Sequence, residues 1–187
     1  MTVPNIAVNR ESAGLLLRPF EERDAAEFAQ AVRESVESVG PWMPWCHAEY
    51  SQTDALEWFK TCHHDAAAGT AYEYGVFSKD GNEFLGGAGL NLIVRQHGYC
   101  NLGYWVRQSQ QRRGVASACV AVLSEVGFRE LKLHRIEIVV AVGNEPSAGV
   151  ARKAGATLEC IARNRLLLKG KPVDASVFSL VPAKCAG

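Results

Sequence analysis

The sequence predicts one mixed α/β domain, a single sheet flanked by helices. Three observations carry that prediction. Strand-like runs such as "AYEYGVFS" and "EFLGGAGLNLIV" give way to segments whose apolar residues keep helical spacing, such as Val115, Cys119, Val122, Leu123 and Val126. The 187 residues are 48% hydrophobic and 21% charged, a globular composition able to bury one core. No internal repeat, low-complexity tract or linker divides the chain, so one domain over 1–187, with its core at about 14–182, is expected.

Each element has its own signal. Leu15–Arg18 reads as a short strand broken by Pro19, and Asp24 stands where it can cap a helix through about Val36. "GPWMPWCHAEYSQTD" is irregular, with two prolines and two tryptophans. Thr53 or Asp54 starts a second helix, with Leu56, Phe59 and Cys62 among its apolar positions, ending near Gly69. The next two strands form a hairpin about Asp80-Gly81, and "YCNLGYWV" adds another. A long helix runs from Gly114 to about Leu131. "HRIEIVVAV" is a buried-type strand, and "PSAGVARKAG" is a short helix opened by Pro146 and stopped by Gly155. "TLECIARNRLLL" and "VDASVFSL" close the chain as strands around "KGK".

Charge and cysteine usage exclude several classes. Twenty basic residues balance twenty acidic ones, which removes the broad basic field of a nucleic-acid or membrane-surface binder. The six cysteines (Cys46, Cys62, Cys100, Cys119, Cys160, Cys185) show no CxxC pair and no accompanying histidine spacing. Free thiols in a reducing cytosol are expected, without a zinc site, another metal or a disulfide framework. The N-terminus lacks a signal-peptide pattern and no apolar run reaches the length of a membrane span. A cytoplasmic protein with no membrane partner is expected.

The stretch "QQRRGVASACV", residues 110–120, lies between a strand and a helix. The first turn of a helix carries unpaired N–H groups and a partial positive charge, so it suits a phosphate. Gly114 permits close backbone approach, small Ala116 leaves room, and Arg112 and Arg113 add charge. A solvated turn with two surface arginines fits these residues equally well. "KGKP" has the wrong flanks for a P-loop. "GGAGLN" leads into a strand, so its glycines are read as serving a bulge or close strand packing.

Two motifs together resemble the GNAT family of N-acetyltransferases. Gln111, Gly114 and Ala116 match that family's (Arg/Gln)-x-x-Gly-x-(Gly/Ala) pyrophosphate loop. Asn144, Ser147, Val150, Lys153 and Gly155 match its second coenzyme A motif. "NLGYWV" resembles its pantetheine-pairing strand, while "LLLRPF" and "PWMPW" resemble the RimJ/RimL branch, which acetylates the N-termini of ribosomal proteins. The resemblance implies a mixed sheet splayed between its fourth and fifth strands, with acyl-coenzyme A, most often acetyl-CoA, in the gap as co-substrate. The pyrophosphate would lie on Gln111, Arg112, Arg113, Gly114, Val115, Ala116 and Ser117. Backbone groups of Tyr104, Trp105 and Val106 would hold the pantetheine like an added strand. Asn144 would bond its arm, Lys153 would belong to the second motif, and Trp42 and Trp45 would flank the acceptor mouth. For the two tryptophans, a packing role is the competing explanation.

The implied activity is acyl transfer to a primary amine by direct attack in a ternary complex. A protein N-terminus of the ribosomal type is the favoured acceptor. A small amine, a larger acyl group and a catalytically weak acyl-CoA-binding sensor remain alternatives, and a homodimer is left open. The family's carboxylates are absent: Asn101 and Leu166 occupy the matching positions. Asn101 could hold a water or orient the amine, and Ser147 could protonate the leaving thiolate or simply cap a helix. Neutralising an α-amine of pKa about 8 at pH 7 requires about 1.4 kcal/mol, against about 4.6 for a lysine near 10.4. A base-poor site therefore favours an α-amine. His47 and Glu73 are the residues named for a base elsewhere, and the adjacent His63 and His64 are given no function.

Overall fold

The computed structural model describes residues 6–182. Eight strands form one sheet: β1 Arg10–Ser12, β2 Leu15–Arg18, β3 Tyr72–Ser78, β4 Phe84–Val94, β5 Tyr99–Val106, β6 Arg135–Ala141, β7 Thr157–Leu168 and β8 Lys171–Leu180. Their spatial order is β1-β2-β3-β4-β5-β6-β8-β7. The helices are α1 Ala25–Glu34, α2 Gln52–Ala68, α3 Val115–Arg129 and α4 Glu145–Lys153. The short β1 carried no sequence signal and shifts the count by one, so the expected fourth and fifth strands are β5 and β6. These two are parallel and pair only where Tyr99–Asn101 meet Arg135–Glu137. Beyond Asn101 they part, which is the expected splay.

Two cores lie on opposite faces of the sheet. On one face, Leu17, Tyr74, Leu90 and Leu102 pack with Cys119, Leu123 and Val126 of α3 and Ala148 and Ala151 of α4. The helical spacing read from the sequence is that buried stripe. On the other face, Phe20, Phe28, Phe59, Phe77 and Phe84 pack with α1 and α2. Phe20 stacks on Phe59 with centroids 4.5 Å apart, and Phe28 meets Phe59 edge-on at 5.3 Å. Burying each such side chain stabilises the fold by about 1.5–3 kcal/mol.

Local rules account for the helix ends, with one correction. Asp24 does not cap α1; it lies in a 3-10 turn before the helix, and its carboxylate accepts the Glu21 N–H at 2.8 Å. The same carboxylate pairs with both terminal nitrogens of buried Arg18 at 2.7 Å. Ser51 and Asp54 form a capping box that starts α2 at Gln52, and Gly69 ends it in the left-handed conformation. On β4, a Cβ on Gly86 would collide with Trp105 O, opposite a register shift at Val76/Phe77. That is the bulge and close packing the glycines suggested. The described cysteines are free, four of them buried; Cys185 lies outside the described residues.

Candidate active site

The splay leaves one edge of β5 open. Arg107 N–H donates to Leu85 O on the β4 side at 2.9 Å. Strand peptides alternate in direction, so those of Gly103 and Trp105 also face β4, and those of Tyr104 and Val106 face the gap. This corrects the expectation for Trp105, whose ring, not its backbone, reaches the site. The Val106 carbonyl already accepts from Gln111 Nε2 at 3.1 Å, and the same amide reaches Ser38 Oγ at 3.0 Å. The Gln111 side chain thus ties the loop to the strand.

Beyond β5 the chain bends into α3. Arg112 and Gly114 have φ of 63° and 83°, and Gly114 is the N-cap. Alternating left-handed residues turn successive N–H groups into one concavity, a nest suited to an anion. The first intrahelical bond is Ala118 N–H to Gly114 O, so the N–H groups of Val115, Ala116 and Ser117 stand at the open end of the helix. Arg112 and Arg113 are exposed there, while the Val115 side chain is buried in the core. A groove of about 520 Å³ between α3 and α4 continues from this point, lined by Ser117, Phe128 and Lys153 among others.

At the start of α4, Asn144 is the cap: its Oδ1 accepts the Ser147 N–H at 3.3 Å. The capping role considered for Ser147 therefore belongs to Asn144. Ser147 instead meets Tyr104 across the gap. The Tyr104 hydroxyl donates to Ser147 O at 3.0 Å and lies 3.1 Å from Ser147 Oγ. Burial raises the Tyr104 pKa, so the phenol keeps its proton.

On the α1/α2 face of the same strand is a cavity of about 530 Å³. Its walls include Phe20, Phe28, Trp45, Tyr50, Trp58 and Trp105, with Asp54, Glu57 and Glu73 as acids; among the described residues His47 is the single histidine that lines it, and no Lys or Arg does. Trp45 meets Trp105 edge-on at 5.4 Å. Trp42 is elsewhere, its ring 3.8 Å from the position of a Cβ on Gly143, over the β6–α4 connection. His47 is half exposed and 3.4 Å from Glu49. Asp54 is held below the usual carboxylate range by the Ser51 hydroxyl and N–H. Glu73 is the deep acid: Asn91 Nδ2 donates to its Oε1 at 2.9 Å, and Asn101 Nδ2 donates to Asn91 Oδ1 at 2.9 Å. Burial pushes the Glu73 carboxyl above the usual range.

Residues 14–157 match the family model of the acetyltransferase (GNAT) domain. The chain belongs to the GNAT family. As a GNAT enzyme it transfers an acetyl group from acetyl-CoA to an amine. It is 26% identical over 184 residues to the [ribosomal protein uS5]-alanine N-acetyltransferase of Escherichia coli strain K12, covering 95% of this chain and 92% of that protein. It is 31% identical over 119 residues to the uncharacterized N-acetyltransferase p20 of Bacillus licheniformis, covering 64% and 67%. The structure of Mycobacterium smegmatis RimJ in complex with CoA-disulfide superposes with a TM-score of 0.85 at 25% identity, covering 97% and 90%.

The GNAT fold explains which expected residues come together. Tyr104 of β5 meets Ser147 of α4 across the gap between β5 and β6, Val106 and the 111–117 loop follow at the end of β5, and Asn144 caps α4. Asn101 stands on β5 where the splay begins and, through Asn91, joins the cavity side. Leu166 is half-buried on β7, opposite Val173 of β8. His63 Nε2 bonds Phe20 O at 2.9 Å, a packing role. Asn91, Tyr50 and Trp58 were not singled out from the sequence. An acid in the otherwise apolar "YEYGVF" was the available signal for Glu73. Among the described residues no helix is long and apolar enough to cross a membrane, and no group of three or more His, Cys, Asp or Glu is placed to hold a metal.

Proposed function

We propose that this GNAT enzyme acetylates the α-amine of a protein N-terminus, of the ribosomal-protein type. The observation that carries the reading is the cavity wall: aromatic rings, three carboxylates and, among the described residues, no Lys or Arg. An ammonium group suits such a wall through ring faces and acids. The carboxylate of a free amino acid would enter it with no cation to pair with, which is strongly unfavourable. A peptide N-terminus brings the amine without that negative charge. In this reading, the first-turn N–H groups at 115–117, with Arg112 and Arg113, hold the pyrophosphate. Tyr104 and Val106 lie along the pantetheine, Asn144 Nδ2 bonds its arm, and Ser117 and Lys153 face the nucleotide end. The Tyr104–Ser147 hydroxyl pair stands beside the thiol.

Thiol release with N-terminal peptides, N-blocked lysine peptides and free amino acids tests this. Peptides with a free N-terminus should exceed the matching free amino acids at least tenfold in kcat/KM. Equal or better turnover of free amino acids would overturn the acceptor assignment, and saturable acetyl-CoA binding with no release anywhere would mark a sensor.

A further inference from the structure

Neither carboxylate of the family pattern is present, so the proton on the incoming amine needs another acceptor. Resting on the reading of the acceptor as an α-amine that enters by the aromatic cavity, we propose that Glu73 is the catalytic base. It takes the proton of the ammonium directly or through one water, on the cavity side of β5.

The geometry starts from register. Glu73 pairs with Gly89, and Gly89 with Gly103, so the three form one row across β3, β4 and β5 with their side-chain directions on one face. Two members of the row have no side chain. A Cβ on Gly89 would collide with Glu73 Oε2, so the carboxylate lies across β4 in the space that glycine leaves. Adjacent strands are about 4.8 Å apart, which puts the carboxylate about one strand spacing from β5, the strand whose far edge is open. Asn91 holds Oε1 and Asn101 in turn holds Asn91, so Oε2, over Gly89, is the oxygen left without a hydrogen-bond donor among the described residues.

Among the described residues no cation pairs with Glu73. Buried carboxylates held for structure are ordinarily paired with a cation. Here the groups that act on it are Asn91 from β4 and Cys62 and Asp65 from α2, while Asp54, Glu57 and His47 line the same cavity. Burial first, and then the nearby Asp65, raises its proton affinity, the direction that suits a general base. The other acidic candidates are engaged or remote: Asp54 belongs to the α2 capping box and Glu57 is exposed.

Protons balance across the transfer. The ammonium gives one proton to Glu73, and the freed lone pair forms the C–N bond at the thioester carbonyl. As the C–S bond breaks, nitrogen loses its second proton to solvent, the thiolate takes one up, and Glu73 releases its own. The net products are the amide, the free thiol and one proton.

The test is the pH dependence of kcat for two N-terminal peptides whose α-amines differ by about one pKa unit. The wild type should show an acidic limb at the same pH for both peptides, because kcat reports the bound enzyme's base. A limb that moves with the peptide overturns the proposal, whatever any variant does. Glu73→Gln should lower kcat by about 10²–10⁴-fold and abolish the limb. Its KM for the peptide and its acetyl-CoA affinity in calorimetry should stay within about threefold. Glu73→Asp, with a shorter reach, should recover part of kcat together with the limb. If Glu73→Gln keeps kcat, or changes only KM, the carboxylate merely binds the cation and the proposal fails. If only free amino acids turn over, the acceptor reading fails first, and the same profile taken with them decides Glu73 separately.

Discussion

At position 114 a side chain is excluded by backbone conformation, not by want of space. Nothing lies within 4 Å of a Cβ built there, yet φ is +83°, where an L side chain is strained by about 1–2 kcal/mol. In the proposed reading the open space is where the pyrophosphate approaches the first-turn N–H groups. Gly114→Glu should therefore carry two separable effects. Stability should fall by about 1–2 kcal/mol in thermal or denaturant unfolding. Acetyl-CoA affinity in calorimetry should fall tenfold or more, about 1.4 kcal/mol, because a carboxylate then faces a pyrophosphate. Unchanged affinity would remove this loop from the coenzyme site. The loop was legible in the sequence because its chemistry is local: a glycine, two arginines and a small residue at a strand–helix junction. Glu73 was legible only as a candidate. Its surroundings come from α2 and β4, eight to eighteen positions away in sequence, and no local pattern encodes them.

Strand β4 shows how an element can be built for its neighbours. Gly86, Gly87 and Gly89 each make room for something else: Trp105 O, the Trp105 indole nitrogen (2.7 Å from where a Cβ on Gly87 would stand), and the Glu73 carboxylate. Sequence patterning found the strand and attributed its glycines to a bulge and close packing, and Gly86 serves that purpose. What Gly89 does depends on a register that a single sequence does not display. Gly89→Ala should push Glu73 off its position on Asn91. The expected outcome is a loss of kcat of tenfold or more with acetyl-CoA affinity unchanged, read by thiol release and calorimetry. Loss of coenzyme binding instead would mean that β4 as a whole had shifted. The same contrast between local and distant signals runs through α2. Its Ser51–Asp54 box was present in the sequence two to three residues from the expected start, whereas the role of Asp24 depended on Arg18 across a turn.

Over the whole molecule, carboxylates with opposite shifts give the stability a predictable pH dependence. Glu159, bonded to Arg135 and Ser179, has its pKa lowered from 4.5 to about 2. Its contribution is present above pH 4.5 and is lost as the pH falls from there toward 2. Glu130, bonded to Arg10, is shifted in the same direction. Glu73 has the opposite sign: burial raises its pKa above 4.5, so the folded state binds its proton more tightly and is relieved as the pH falls through that raised value toward 4.5. The difference in melting temperature between Glu73→Gln and the wild type should be positive at pH 8 and shrink toward pH 4.5. A difference independent of pH would mean that Glu73 titrates normally. Such a residue is retained against stability, as expected where chemistry sets the requirement. The alternation of β5 has a kinetic consequence. The Trp105 ring and Gly103 face the α1/α2 side, whereas the Tyr104 hydroxyl reaches Ser147 on the α3/α4 side, so in the proposed reading acceptor and thioester would approach opposite faces of one strand and meet at its edge. Neither reactant stands in the other's path. On that reading either would be free to arrive first, and spent coenzyme would depart while the acetylated product is still in place.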